Sequence, residues 1–370
     1  MTELKRYCRM PGNMRRMRHT VNLKSQCSIS MPDARIRRAR RMETKKMTYM
    51  QAIRLALDEE MARDEKVIMM GQDIGILGGA YGVTGDLYHK YGPDRVIDAP
   101  LSENAIVGFG IGAAIRGWRP IIDIMKMDFS MCALDPIVNH LAKYRYMSGG
   151  QISCMPAVVR TVIGGGTRSG PHHSQSVYSL YAGFPGLKVV CASTPEDAKG
   201  LLKAALRDDD PVFFCEEAGA YRMKAEVPLD PDFVVPIGKS KVVCEGDDLT
   251  VVGFGTAILK ATKAAKQLRE EGIHMELIDL RSLRPLDLGP VAASVRKTGK
   301  LLLVDEFTET YGITGEIAFQ VSETCFEDLK MPVQRCTLPD TIIPAAPTLE
   351  DWVMLSPEKI AVRVKEMINA

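Results

Sequence analysis

Glu103 is the sole charge between Asp98 and Arg116, at the mouth of the small and apolar run "SENAIVGFGIGAAI". An acid in the first turn of a helix is favoured by the helix dipole, and Ser102 before it suits a helix start. The other reading is a buried carboxylate that hydrogen-bonds a cofactor heteroatom, its pKa raised by desolvation so that a proton can be shared. A second candidate lies in "GGGTRSGPHHSQS", where a glycine-rich loop carries His172 and His173. Adjacent residues project in different directions and no further ligands are spaced to help, so a metal site is not expected. Either ring is a solvated loop histidine or a group on the rim of a site, able to move a proton or hold an oxyanion near neutral pH. Two glycine clusters suggest nucleotide binding. "GFGIGA" (Gly108, Gly110, Gly112) lies inside a helical pattern, where glycines permit close helix packing. "GFGTAI" (Gly253, Gly255) follows a strand and opens a helix, with Asp279 further on where a dinucleotide-binding acid would stand, but the third glycine of that fingerprint is missing.

These residues sit on elements the text signals clearly. Thr48 with Gln51 makes a capping box for a first helix in "MTYMQAIRLALDEEMARD". Short β-branched runs then alternate with helical ones: "KVIMMG", "DRVID", "RPIIDI", "PAVVRTVI", "LKVVCAS" and "PVFFCE" read as strands. Between the last two, "TPEDAKGLLKAALRDDD" opens with Thr194 at the cap, Pro195 in the first turn and Glu196 and Asp197 at the positive end of the dipole. Continuously apolar strands separated by helices predict a parallel sheet covered on both faces. The proline-rich "EVPLDPDFVVPIG" reads as a linker. A second α/β unit follows, with strands "DLTVVGFG", "HMELIDL" and "KLLLVDE", and with helices "TAILKATKAAKQLREEG", near "GPVAASVRKTG", and "PEKIAVRVKEMIN".

Composition narrows the class. A chain of 370 residues with 46% hydrophobic content fits two ordinary cores. No apolar run approaches the roughly 18 residues that span a bilayer, so a membrane role is not expected. The nine cysteines form no C-x-x-C pair and imply a reducing compartment, with most acting as small buried hydrophobes. The formal charge of +2 conceals an asymmetry: residues 1 to 47 carry +11 and the remainder −9. "RRMRH" and "RIRRARR" lack aromatic interleaving and any groove-reading motif, so nucleic acid is not expected as a partner. An Arg-rich, acid-poor arm is compatible with a mitochondrial presequence. The favoured reading is a disordered extension over residues 1 to 46, or an upstream start with Met42 or Met47 as the functional beginning.

Taken in order, "MGQDIG", "GGAYGVTGDL", "DAPLSEN", "AKYRYMSGGQ", "HHSQS", "PGLKVV", "STPEDAKGLL" and "VRKTGKLLLVDE" resemble the beta subunit of the thiamine-diphosphate-dependent 2-oxo acid dehydrogenases. That family takes in pyruvate, branched-chain and acetoin dehydrogenases and is similar to the transketolases; the likeness spans about residues 47 to 370. It implies two α/β domains, each a mostly parallel sheet flanked by helices: a pyrimidine-binding domain over 47–228, a linker over 229–238 and a transketolase C-terminal-like domain over 239–370. It also implies two alpha and two beta chains with active sites at their interfaces. The family holds the cofactor's diphosphate and Mg²⁺ through a Gly-Asp-Gly segment followed by Asn, and this chain has no such segment. Half of the cofactor is therefore expected on an alpha subunit.

Carried over by resemblance, Glu103 is the acid that hydrogen-bonds the aminopyrimidine ring and favours its imino tautomer. Phe129 packs on that ring, Met125 lines the pocket, and His173 stands near the substrate and the incoming lipoyl group. Some members hold a monovalent cation, K⁺, which here implies Ala157, Ala205, Leu206, Asp208 and Asp210. The chain departs from the pattern at Gln72, where an acid of an inter-site carboxylate relay is common, and at His172 and Ala99, commonly Gln and Thr. A neutral amide cannot relay a proton in the same way, which puts coupling between sites in doubt. The implied activity is decarboxylation of a 2-oxo acid, pyruvate foremost, or cleavage of acetoin, with acyl transfer to a lipoyl-bearing acyltransferase core. The rivals are a nicotinamide-dependent dehydrogenase built on "GFGTAI" and a non-catalytic assembly subunit. The expected location is cytoplasmic, or the mitochondrial matrix if the arm is a presequence.

Overall fold

The computed structural model describes residues 43–79 and 81–370. The basic arm, Met42, Cys8 and Cys27 lie outside the described residues, so the readings of residues 1 to 42 are not addressed by it. In chain order the first half forms β1 (Thr44–Thr48), α1 (Tyr49–Arg63), β2 (Val67–Gln72), α2 (Leu87–Tyr91), β3 (Val96–Ala99), α3 (Glu103–Ile115) and β4 (Arg119–Ile124). A 3-10 segment (Met127–Ala133) and a π-helical turn (Pro136–Leu141) lead to α4 (Tyr144–Met147) and β5 (Val158–Ile163). A short turn (Pro171–His173), α5 (Tyr178–Ala182), β6 (Lys188–Cys191), α6 (Pro195–Arg207), β7 (Val212–Glu217) and β8 (Lys224–Pro228) complete it. The second half forms β9 (Lys241–Cys244), β10 (Leu249–Gly253), α7 (Gly255–Glu270), β11 (Met275–Asp279), β12 (Ser282–Arg284) and α8 (Gly289–Thr298). It ends with β13 (Leu301–Thr308), α9 (Ile313–Cys325), β14 (Gln334–Leu338), α10 (Pro347–Val353) and α11 (Pro357–Asn369).

The local signals explain the element ends. Thr48 and Gln51 exchange both bonds of a capping box. Thr194 accepts the N–H of Asp197 and Ser356 that of Lys359, and each is followed by proline. Gly299 ends α8 in the left-handed conformation that spares an L-residue's strain.

The first sheet has seven strands in the order β12-β6-β7-β5-β4-β2-β3, parallel except for β12. The second has five, β14-β13-β10-β11-β9, with β9 antiparallel. Both central strand sets are wholly buried, with helices on the two faces. Residues 229–238 contain no helix or strand, as expected of a linker, but they are not free of the body: Val235 is buried and fills the space beside Gly200 on α6.

Two features differ from the sequence reading. Thr44–Thr48 pairs with Lys224–Pro228 in a small antiparallel sheet, so residues 44–46, assigned from the sequence to the extension, belong to the folded body. And β12, which follows β11 of the second half, is hydrogen-bonded to β6 as the edge strand of the first sheet.

Candidate functional site

Parallel register gathers the candidate residues. Gln72 lies beside Ala99, Ile124 beside Thr161, and Ile163 beside Glu217, so the carboxyl ends of β2, β3, β4, β5 and β7 share one edge of the first sheet. Ligands of open parallel sheets bind at this edge. Glu103 opens α3 four residues after β3 ends, Met125 and Phe129 follow β4, and the histidine loop follows β5. α3 also packs on the turn that carries Phe129.

Phe129 and His173 meet edge to face, with ring centroids 5.2 Å apart and an interplanar angle of 88°. Asp128 fixes this approach, since its Oδ1 accepts the backbone N–H of Gln175 at 3.2 Å and the side-chain amide at 3.0 Å. Met125 borders a cavity of about 20 Å³ whose polar walls are Gln72, Asp123, Arg160 and the tyrosines 81 and 221. Behind it Arg160 bridges Asp123 and Glu216, and Tyr221 donates to Glu216 at 2.8 Å. Lys126 is buried beneath the ring of Tyr81, its Nζ 5.5 Å from the centroid. Burial lowers its pKa, Asp128 opposes that shift, and among the described residues Nζ has no hydrogen-bond partner.

Glu103 is half-buried rather than sequestered, and its carboxylate makes no hydrogen bond among the described residues. The cause lies on α3. Gly110 does what the sequence suggested: a Cβ there would come within 2.4 Å of Ile122. Gly108 and Gly112 do not, because they face outward with no atom within 4 Å, beside the exposed Phe109 and Ile115. Ile76, Leu77 and Leu101 are exposed as well. The shelter that Glu103 was expected to have is not supplied by its own chain.

The oxygens implied for a cation have partners within the chain. Lys188 Nζ lies 2.7 Å from both carboxylate oxygens of Asp208 and 3.3 Å from Asp210, which is also paired with Arg145. Arg119 takes the carbonyls of Leu206 and Asp208, while those of Ala157 and Ala205 accept backbone N–H groups. A carbonyl oxygen has two lone pairs, so an accepted N–H leaves one free, whereas the carboxylates of Asp208 and Asp210 are engaged by the chain's own cations. Among the described residues no group of three or more His, Cys, Asp or Glu could hold a metal ion, and the seven described cysteines are all free.

The "GFGTAI" turn is filled by protein. Glu217, from the end of β7, accepts from the Thr256 backbone and lies 3.1 Å from its hydroxyl, while Gly255 N–H donates to Ser193. A Cβ on Gly255 would lie 1.8 Å from Glu217 Oε1. The positive end of α7, where a pyrophosphate would sit, is thus closed by a carboxylate of the first sheet. Asp279 is likewise buried and held by Ser193 and Arg281, its pKa pushed up to about 7 by burial and by the charge of Asp197.

The sequence reading missed the acids at this junction. The Thr256 hydroxyl also lies 2.5 Å from Glu306 Oε2, and Lys260 pairs with Glu306. Burial, then the charge of Glu306, raises the pKa of Glu217 to about 8. Asp305, bonded to Tyr178, is raised to about 7, chiefly by burial. A signal was present in the sequence: the runs "PVFFCEE", "MELID" and "LLLVDE" all end in acids, at the strand ends where parallel sheets place polar groups.

Two such α/β units, joined at the carboxyl ends of their strands, make the architecture of transketolase. Solved transketolases share it: a split-gene transketolase, described as an inactive beta4 tetramer, superposes with a TM-score of 0.71 at 22% identity, over 87% of this chain and 99% of that one. A Pichia stipitis transketolase mutant gives 0.63 at 14% identity, over 89% of this chain and 47% of that one. Residues 45–224 match the transketolase pyrimidine binding domain and residues 238–360 the transketolase C-terminal domain.

Relatives define the branch. The chain is 47% identical to the 2-oxoisovalerate dehydrogenase subunit beta of Bacillus subtilis (87% of this chain, 98% of the relative). It is 43% identical to the acetoin:2,6-dichlorophenolindophenol oxidoreductase subunit beta of Cupriavidus necator (88% and 98%). It is 46% identical to the mitochondrial pyruvate dehydrogenase E1 component subunit beta-1 of Arabidopsis thaliana (83% and 85%). The chain belongs to the family of transketolase-like beta subunits of 2-oxo acid and acetoin dehydrogenase components.

Proposed function

We propose that this chain forms, with an alpha subunit, a thiamine-diphosphate-dependent component that acts on a 2-oxo acid or acetoin and delivers the acyl group to a lipoyl-bearing acyltransferase core. The observation that carries the reading is the shared sheet edge, where Glu103, Met125, Phe129 and His173 stand beside an apolar face that the chain leaves uncovered. A carboxylate, a thioether and an aromatic edge suit a flat heteroaromatic ring. This chain lacks a Gly-Asp-Gly segment, and in this reading holding Mg²⁺ and the diphosphate falls to the alpha chain. The bound cofactor supplies the carbon nucleophile and the electron sink for cleavage next to a carbonyl.

The residues of this chain divide the remaining work. Glu103 keeps a proton between its carboxyl oxygen and a ring nitrogen, and the alpha chain, by covering α3, supplies the desolvation that makes this sharing effective. Met125 and Phe129 hold the ring plane and exclude water. His173, exposed on its loop but set against Phe129, moves a proton at the carbonyl oxygen or at the incoming lipoyl sulfur. Among the described residues no helix is long and apolar enough to cross a membrane. A cytoplasmic or matrix location turns on the basic arm, which a fractionation with and without residues 1–42 would test.

The test uses the co-expressed alpha–beta complex. Glu103→Gln is expected to lower thiamine-diphosphate-stimulated turnover by on the order of 10²-fold while the complex still assembles. Undiminished activity in that variant, or turnover by the beta chain unaided, overturns the reading.

A further inference from the structure

The loop from β5 to the histidines has a demanding backbone. Gly164, Gly166, Arg168 and Gly170 all have positive φ, and Arg168, at +60°, is not a glycine. Such a conformation at a side-chain-bearing residue costs on the order of 1 kcal/mol or more and persists only where its surroundings enforce it. Here the enforcing group comes from the far end of the chain. Glu350, on α10, is fully buried. Its Oε1 accepts the Gly166 N–H at 2.7 Å, and its Oε2 accepts the Arg168 N–H at 3.1 Å and Arg168 Nη1 at 2.7 Å. Arg168 is tied further to the Pro347 carbonyl at 3.0 Å and to Asp351 at 2.6 Å. Gly165 packs so closely that a Cβ would stand 2.9 Å from Met354 Sδ. Beyond the histidines Asp128 grips Gln175, so the turn bearing His173 is held on both sides, once by each domain.

A carboxylate that accepts three N–H groups is an expensive way to hold a surface loop, since a buried charge is tolerated only when fully bonded. We propose that Glu350 is a positioning residue for His173: the C-terminal domain, through this one carboxylate, sets the height of the histidine turn over the edge of Phe129. The proposal rests on the reading of His173 as a site residue. Gln at 350 keeps the shape but has a single acceptor oxygen, and its NH₂ would face an N–H, so at least one backbone bond is lost and the turn loosens.

The experiment is a double-mutant cycle in the intact alpha–beta complex, with limited trypsin cleavage after Arg168 as a readout independent of turnover. Glu350→Gln is expected to lower kcat by on the order of 10- to 100-fold, the cost of misplacing a reacting group by about 1 Å. In a His173→Ala background the same change should lower it less than about twofold, because coupled residues are not additive. Trypsin cleavage should quicken in Glu350→Gln. Arg168→Lys, which keeps both backbone bonds and the trypsin site but gives up the guanidinium's contacts with Glu350, Asp351 and the Pro347 carbonyl, should show the same pattern more weakly, and serves if Glu350→Gln does not fold. Equal losses in both backgrounds, or unchanged kcat with faster cleavage, overturn the proposal. A wild-type complex that thiamine diphosphate does not stimulate would instead bring down the functional reading, and a silent His173→Ala the role given to that histidine.

Discussion

Replacing Glu217 by Gln should change how stability depends on pH, and the structure sets both sign and size. Glu217 and Glu306 both address the hydroxyl of Thr256. One hydroxyl has one proton, so it cannot satisfy two carboxylates, and the arrangement closes only if one acid is protonated. Lys260 pairs with Glu306, which leaves Glu217 to carry the proton, in accord with a pKa raised to about 8 by burial and by the charge of Glu306. The unfolded chain releases that proton near the ordinary value of 4.5. Between about 4.5 and 8 the native state thus binds one proton more than the unfolded state. Stability is fully present below the lower value and is lost as pH rises, by about 1.4 kcal/mol per pH unit, levelling above the upper one. The whole loss is about 3 to 6 kcal/mol, the window multiplied by that slope. Gln cannot ionise, and its amide can donate where the protonated acid did. Urea unfolding of wild type and Glu217→Gln from pH 5 to 9 should give a stability difference that grows in favour of the variant up to pH 8 and is constant beyond it. Parallel curves would refute proton sharing at Thr256.

Gly255→Ala should lower the thermal midpoint far more than Gly272→Ala: both positions have positive φ, but a Cβ at 272 meets nothing within 4 Å while at 255 it would displace Glu217. The expected cost at 255 is about 3 kcal/mol or more, and equal shifts in the two variants would contradict the contact. Lys126→Met keeps the volume and removes a buried ammonium that has no hydrogen-bond partner among the described residues, so calorimetry should show stabilisation by about 1 to 3 kcal/mol; a lower midpoint would mean that the charge is paired.

What the sequence made legible was whatever is local. Thr194 with Pro195 fixes the start of α6 because the cap and the first turn are adjacent in the chain. The continuous run at 119–124 is β4 because a strand buried on both faces needs nothing else. Long-range pairing was not legible. β1 contains "TKK", which reads as a polar lead-in until Lys224–Pro228 is beside it, and β12 is three residues long and belongs to the other domain's sheet. The site divides the same way. Glu103, Phe129 and His173 share an edge that the strand order dictates, yet the exposure of Glu103 depends on what covers α3, which no local pattern encodes. Glu350 was invisible because it acts on backbone N–H groups more than 180 residues away.

The strand exchanged at β12 bears on how the molecule can move. A segment of the second half is stitched into the rim of the first sheet through Ser282 and Arg284, and Thr256 and Glu217 tie the same seam. The halves therefore have no free hinge, and opening them would unzip a strand. Any gating during turnover must be sought in the surface loops or in the companion chain, and relaxation measurements should find the two halves tumbling as one body.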